Sequence, residues 1–167
     1  VTTYEVLVQQ LQVVKAELDR AGIAAGERVV LIGDFGTVST ALLLELIARH
    51  VVIVPMTATT AKRRDVLFEI SCAQWCIETD EMSGIKSLSI KRLLRADAVK
   101  VEHPLFAQVI AKDVPGLVLF TSGSTGLPKA VVHDFSLLLE KFKLPGRPAR
   151  TLNFLLFDHW GGLNTLL

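Results

Sequence analysis

The sequence predicts an α/β fold, a mostly parallel sheet with helices on both faces, and three observations carry that expectation. Short apolar runs without polar alternation, Val29–Ile32, Val51–Val54 and Gly116–Phe120, have the length of strands buried on both sides. Longer segments with helical periodicity separate most of these runs, so strand and helix alternate along the chain. The 167 residues, half of them apolar, suffice for one hydrophobic core and are few for two domains.

Thr2 followed by Glu5 has the form of a capping box, and apolar residues then recur at Val6, Leu7, Leu11, Val14 and Leu18. A first helix is therefore predicted over about residues 3 to 20, ended by Ala21-Gly22. Val29–Ile32 is the first strand, and Gly33-Asp34-Phe35-Gly36 turns the chain. The segment 38–49 reads as a second helix, apolar over most of its circumference and hence buried. Val51–Val54 is the next strand, with Pro55 expected to stop it. Thr60 is expected to cap a helix over about 61–71, and Trp75–Glu78 forms another short strand. Residues 79–115 show no clear period, and Pro104 reads as a break. Gly116–Phe120 leads straight into a loop rich in glycine and hydroxyls. A helix over about Phe135–Phe142 follows, ended by Pro145-Gly146, and Thr151–Phe157 reads as a last strand.

Lysine and arginine number 18 against 17 aspartates and glutamates, so the charge balance gives no reason to expect a nucleic acid or an anionic membrane as partner. The short basic clusters Lys62-Arg63-Arg64 and Lys91-Arg92 read as solvated helix faces. Cys72 and Cys76 would share a helix face if the helix reached that far. They lack both the CxxC spacing of a redox pair and enough partners for zinc, so no metal site is expected and they read as buried, reduced thiols. That usage, with no secretory signal and no transmembrane segment, points to a cytoplasmic protein.

The chemistry is concentrated in Thr121-Ser122-Gly123-Ser124-Thr125-Gly126-Leu127-Pro128-Lys129. Gly123 and Gly126 permit tight turns and leave room for a bulky anion, while backbone N–H groups and four hydroxyls supply donors. Lys129 adds a positive charge at the far end, which completes a donor set suited to a polyphosphate. Gly123 and Lys129 have the separation of the Walker A pattern GxxxxGK[ST]. Residue 128, however, is proline, and residue 130 is alanine where the magnesium-binding hydroxyl would stand, so a P-loop phosphotransferase is disfavoured. The dinucleotide pattern GxGxxG fails as well. A surface linker of serine and glycine is the plainer alternative, but a linker has no reason to follow a buried strand directly and close on Pro-Lys before the apolar pair Val131-Val132.

The run Phe120–Lys129 resembles the signature of the AMP-binding, adenylate-forming superfamily, which includes acyl- and aryl-coenzyme A synthetases, adenylation domains of peptide synthetases, and luciferase. Where that family often has glycine, this chain has Ala130. The strand, apolar helix and strand-to-proline order over residues 29–56 is similar to the family's opening, so the likeness spans nearly all of the chain. Phe157-Asp158-His159-Trp160-Gly161-Gly162 resembles the family's histidine motif, without the proline that commonly precedes it. Read alone, such a histidine beside two glycines is also what a strand-end turn looks like.

The resemblance implies a ligase in which a carboxylic acid attacks the α-phosphorus of ATP, giving an acyl-adenylate and pyrophosphate. A thiol of coenzyme A or of a carrier protein then takes the acyl group. Thr121, Ser122, Gly123, Ser124, Thr125, Gly126 and Lys129 would hold the phosphates, with Mg2+ arriving with ATP. Lys129 and His159 would act catalytically, and His159, Trp160, Gly161 and Gly162 would line the acid's pocket. By the same resemblance, residues 1–167 form the N-terminal portion of the large AMP-binding domain. The motifs for adenine, ribose and the small C-terminal domain are absent, and more protein is expected past Leu167. The chain alone is then expected to be inactive, with apolar surface bare near its last strand. The competing reading is a stand-alone nucleotide-binding or regulatory domain.

Overall fold

The computed structural model describes residues 2–80, 88–93, 103–121, 128–144, 146 and 150–167. The chain runs α1 (Tyr4–Ala21), β1 (Arg28–Ile32), α2 (Thr37–Ala48), β2 (Val52–Met56), α3 (Arg64–Ile70), β3 (Trp75–Glu78), β4 (Ser89–Arg92), α4 (Pro104–Ala111), β5 (Gly116–Thr121), β6 (Lys129–Asp134), α5 (Phe135–Leu139) and α6 (Trp160–Leu166). A 3₁₀ turn over Thr60–Arg63 leads into α3, and another over Glu140–Lys143 extends α5.

The six strands form one sheet in the order β4-β3-β1-β2-β5-β6. The inner four are parallel, and β4 and β6 flank them antiparallel. The predicted fold class is the observed one, a mostly parallel sheet flanked by helices. Side chains of the inner strands alternate between two cores. Val29, Leu31, Ile53, Ile77 and Leu117 meet α1, α2, α5 and α6 on one face. Val30, Ile32, Val52, Val54 and Val118 meet α3 and α4 on the other. Strands covered on both sides have no polar face, which is why their sequences read as unbroken apolar runs.

Several local expectations are corrected. The cap of α1 is Thr3, whose hydroxyl accepts from the Val6 N–H, and Thr2 bonds the Thr37 hydroxyl. Gly22 closes the helix in the left-handed conformation at φ 76°, as Ala21-Gly22 suggested. Pro55 does not stop β2, which runs on to Met56. Val52 N–H donates to Glu27 and Met56 accepts from Gly33, so the alternate residues Ile53 and Pro55 turn toward β5, whose pairing with β2 ends at Ile53. The proline therefore interrupts no ladder bond. Thr60 does not cap a long helix but lies within the 3₁₀ turn, and its N–H donates to the Thr57 hydroxyl.

Pro104 starts α4, where its missing N–H costs nothing, and His103 caps that helix by accepting from Leu105 N–H. Lys91 and Arg92 lie on the edge strand β4 and not on a helix, with Arg92 stacked over Trp75 at 4.9 Å. The apolar pair Val131-Val132 belongs to β6, a strand the sequence reading missed. Pro145 lies outside the described residues. The expected last strand at 151–157 does not form. Leu152 and Phe154 are 83% and 82% exposed, and the segment crosses the start of α6, held by Asn153, whose amide donates to the Gly162 carbonyl. A strand needs the backbone of a neighbouring strand to pair with, and among the described residues none pairs with this run.

The two cysteines do not share a helix. Cys72 follows α3 at φ 50° and is half-buried, whereas Cys76 is buried in β3. Burial, aided by the charge of Glu78, pushes the Cys76 thiol up to about 11. Cys72 is accordingly expected to react with iodoacetamide at neutral pH while Cys76 stays unmodified until the chain unfolds. Peptide mass spectrometry of a labelling time course checks this, and equal rates at the two positions would refute it. No described helix is long and apolar enough to cross a membrane.

Candidate functional site

The strand order sets where a site can form. From β1 the chain passes through α2 to β2 on one side. From β2 it passes through α3 back across β1 to β3. Because α2 and α3 cover opposite faces, the loops leaving β1 and β2 diverge and open a crevice at the carboxyl ends of those two strands. Open α/β sheets bind ligands at such a switch point.

The turn before α6 sits in this crevice. Phe157 is fully buried and meets Phe35, in the loop after β1, edge-on at 5.4 Å. Asp158, 7% exposed, reaches the loop after β2. Its Oδ2 accepts from the Thr60 hydroxyl and, at 3.4 Å each, from the Thr57 backbone N–H and the Thr57 hydroxyl. Its Oδ1 lies 2.7 Å from His159 Nδ1. Buried carboxylates need such donors, and here Oδ2 has them while Oδ1 faces the imidazole. The His159 side chain itself is 61% exposed, so its far edge faces outward.

His159 is therefore not on a strand end but in the N-cap position of α6. Trp160 packs its ring edge against Phe135 at 6.4 Å, and the Lys141 ammonium lies over it at 5.1 Å. Gly162 answers to packing: a Cβ there would stand 2.1 Å from the Leu156 carbonyl oxygen. At Gly161 a Cβ would meet Leu155 Cδ1 at 2.8 Å. Both glycines let the 151–156 segment cross close over the helix.

The other half of the predicted site lies at the same edge of the sheet. Thr121 ends β5, which runs parallel to β2 and beside it, and Lys129 begins β6 directly opposite Thr121. Both are exposed, and among the described residues no carboxylate pairs with the Lys129 ammonium. The backbone register thus brings the two ends of the glycine and hydroxyl run together as the mouth of a hairpin. Ser122, Gly123, Ser124, Thr125 and Gly126 lie outside the described residues. A hydroxyl and an unpaired ammonium are donors that suit the phosphates of ATP. Among the described residues no group of three histidines, cysteines or carboxylates could hold a metal ion. Sequence reasoning missed Thr57, Thr60 and Asp158. The available signal was Asp158 standing next to His159, together with two threonines three apart just after a strand.

No family model and no curated protein matches this chain. Solved structures do. The N-terminal subdomain of Klebsiella oxytoca NpsA, in complex with 3-hydroxyanthranilyl-AMSN, is 24% identical with a TM-score of 0.54, over 78% of this chain and 33% of that one. IdnL1 is 20% identical with a TM-score of 0.67, over 98% of this chain and 35% of its own. CmiS6 is 19% identical with a TM-score of 0.65, over 97% and 41%. The chain thus spans well under half the length of these structures. At such identities the likeness is one of fold alone: the mostly parallel, helix-flanked sheet is what this chain shares with these structures.

Proposed function

We propose that this chain is part of an ATP-dependent ligase that activates a carboxylic acid as its acyl-adenylate, releases pyrophosphate, and passes the acyl group to a thiol of coenzyme A or a carrier protein. The observation that carries the proposal is the hairpin mouth at the carboxyl end of β5, where Thr121 and Lys129 stand opposite each other around the run Ser122–Pro128. Donors gathered at that edge suit the leaving phosphates of ATP, whose developing charge needs fixed hydrogen bonds and cations. The shared fold with adenylate-forming enzymes supports the same reading. Mg2+ would be held by the phosphates of ATP, and when bound it would offset charge on the leaving pyrophosphate.

In this reading Lys129 holds the phosphates while His159, at the N-cap of α6 and tied through Asp158 to the loop after the neighbouring strand β2, faces the acid. Trp160, Gly161 and Gly162 border the acid's pocket. Keeping phosphate donors and the acid's contacts on adjacent strand ends would orient the carboxylate for in-line attack.

The test is a titration of isotopically labelled chain with MgATP, followed by backbone amide shifts. Saturable shifts at Thr121 and Lys129 are expected. Lys129→Ala is expected to weaken binding roughly ten- to hundred-fold, as loss of a charge-assisted bond worth about 1.5–3 kcal/mol implies. Shifts that persist at the same affinity in Lys129→Ala would remove Lys129 from the site.

A further inference from the structure

We infer that Asp158 is a positioning residue that fixes the tautomer and orientation of His159. This deepens the proposed function, on which it rests for its purpose and not for its geometry. The carboxylate is buried among hydrogen-bond donors, and an ionised carboxylate can only accept hydrogen bonds. Its Oδ2 is already occupied by donors from Thr60 and Thr57, which leaves Oδ1 to face the ring. His159 Nδ1, 2.7 Å from Oδ1, must therefore be a donor.

In the neutral ring the single proton then resides on Nδ1, and the lone pair of Nε2 is turned outward from the crevice. Nε2 is thus the nitrogen available to accept a hydrogen bond or a proton from whatever lies at the sheet edge. A neighbouring hydrogen bond sets the chemistry of an exposed imidazole in this way. Thr57 and Thr60 anchor the device to the end of β2. Thr60 N–H donates to Thr57 Oγ1, and the two hydroxyls lie 2.8 Å apart, so the carboxylate is held by a short polar chain that begins at the sheet. Asp158 is followed at once by the α6 helix start, so any shift of its carboxylate would move the ring as well.

The same donors predict what a neutral substitute does. In Asp158→Asn the amide oxygen best fits the place of Oδ2, where it can accept from Thr57 and Thr60. That turns the amide NH2 toward the ring, and Nδ1 must then accept. The proton is forced to Nε2, the tautomer exchange that an Asp→Asn change produces at a Ser-His-Asp triad.

The experiment is long-range proton–nitrogen correlation spectroscopy of the histidine rings in the labelled chain, well above the ordinary histidine pKa of about 6.5. The wild-type chain is expected to show His159 with its proton on Nδ1, and Asp158→Asn to show it on Nε2. The wild-type spectrum decides by itself even where the variant does not fold: a proton on Nε2 in the unsubstituted chain overturns the assignment. So does an Asp158→Asn chain that folds and keeps the proton on Nδ1. Neither readout involves nucleotide, so failure of MgATP to bind would count against the proposed function and leave this inference standing.

Discussion

Phe157→Ala is expected to destabilise the chain by about 3–5 kcal/mol, the range for emptying a buried aromatic site. The ring is fully buried, meets Phe35 edge-on, and belongs to the core shared with α1, α2 and α5. It is also what seats the turn before α6 in the crevice between β1 and β2. Removing it leaves a cavity and also loosens Asp158 from Thr57 and Thr60, two links that fail together. Urea unfolding followed by circular dichroism measures the loss. A change below about 1 kcal/mol would mean that the turn is not held by this contact.

Gly162→Ala is expected to cost about 3 kcal/mol, the upper end for overpacking, because the added Cβ would lie 2.1 Å from the Leu156 carbonyl oxygen. A flexible side chain could move aside, as Leu155 can beneath Gly161, but a backbone carbonyl moves only with its segment. The segment is pinned nearby by the Asn153 amide on the Gly162 carbonyl and by the His159 N–H on the Leu156 carbonyl. Gly161→Ala is accordingly the milder change, and comparing the two unfolding midpoints separates a backbone clash from a side-chain one. Equal midpoints would show that the 151–156 segment yields freely.

These two positions mark how far the sequence could be read. Gly161-Gly162 was legible as a constraint, and the structure adds a packing reason for it, a close crossing of chain over helix. Strands β1, β2, β3 and β5 were legible because strands covered on two faces have a composition of their own, and α1 and α2 because burial on one or most sides leaves a period. β4 and β6 were not, since an edge strand is covered less completely and its sequence lacks the unbroken apolar run of an inner strand. The run 151–157 was misread for the converse reason: it has the composition of a buried strand, but Leu152 and Phe154 are exposed and no strand among the described residues pairs with it.

The candidate site divides in the same way. Thr121 through Lys129, the proposed phosphate site, announces itself by local composition, because its glycines and hydroxyls are consecutive in the chain. The Asp158, Thr57 and Thr60 group does not, because Asp158 lies 101 and 98 residues from the two threonines and meets them only where α2 and α3 depart to opposite faces of the sheet. By itself the sequence determined the alternation of strand and helix and the donor-rich composition of the run Thr121–Lys129, both of which are local properties of the chain. Only the tertiary structure decided that a buried carboxylate orients His159, since that depends on strand order, which brings distant residues to one edge of the sheet and which no local pattern encodes.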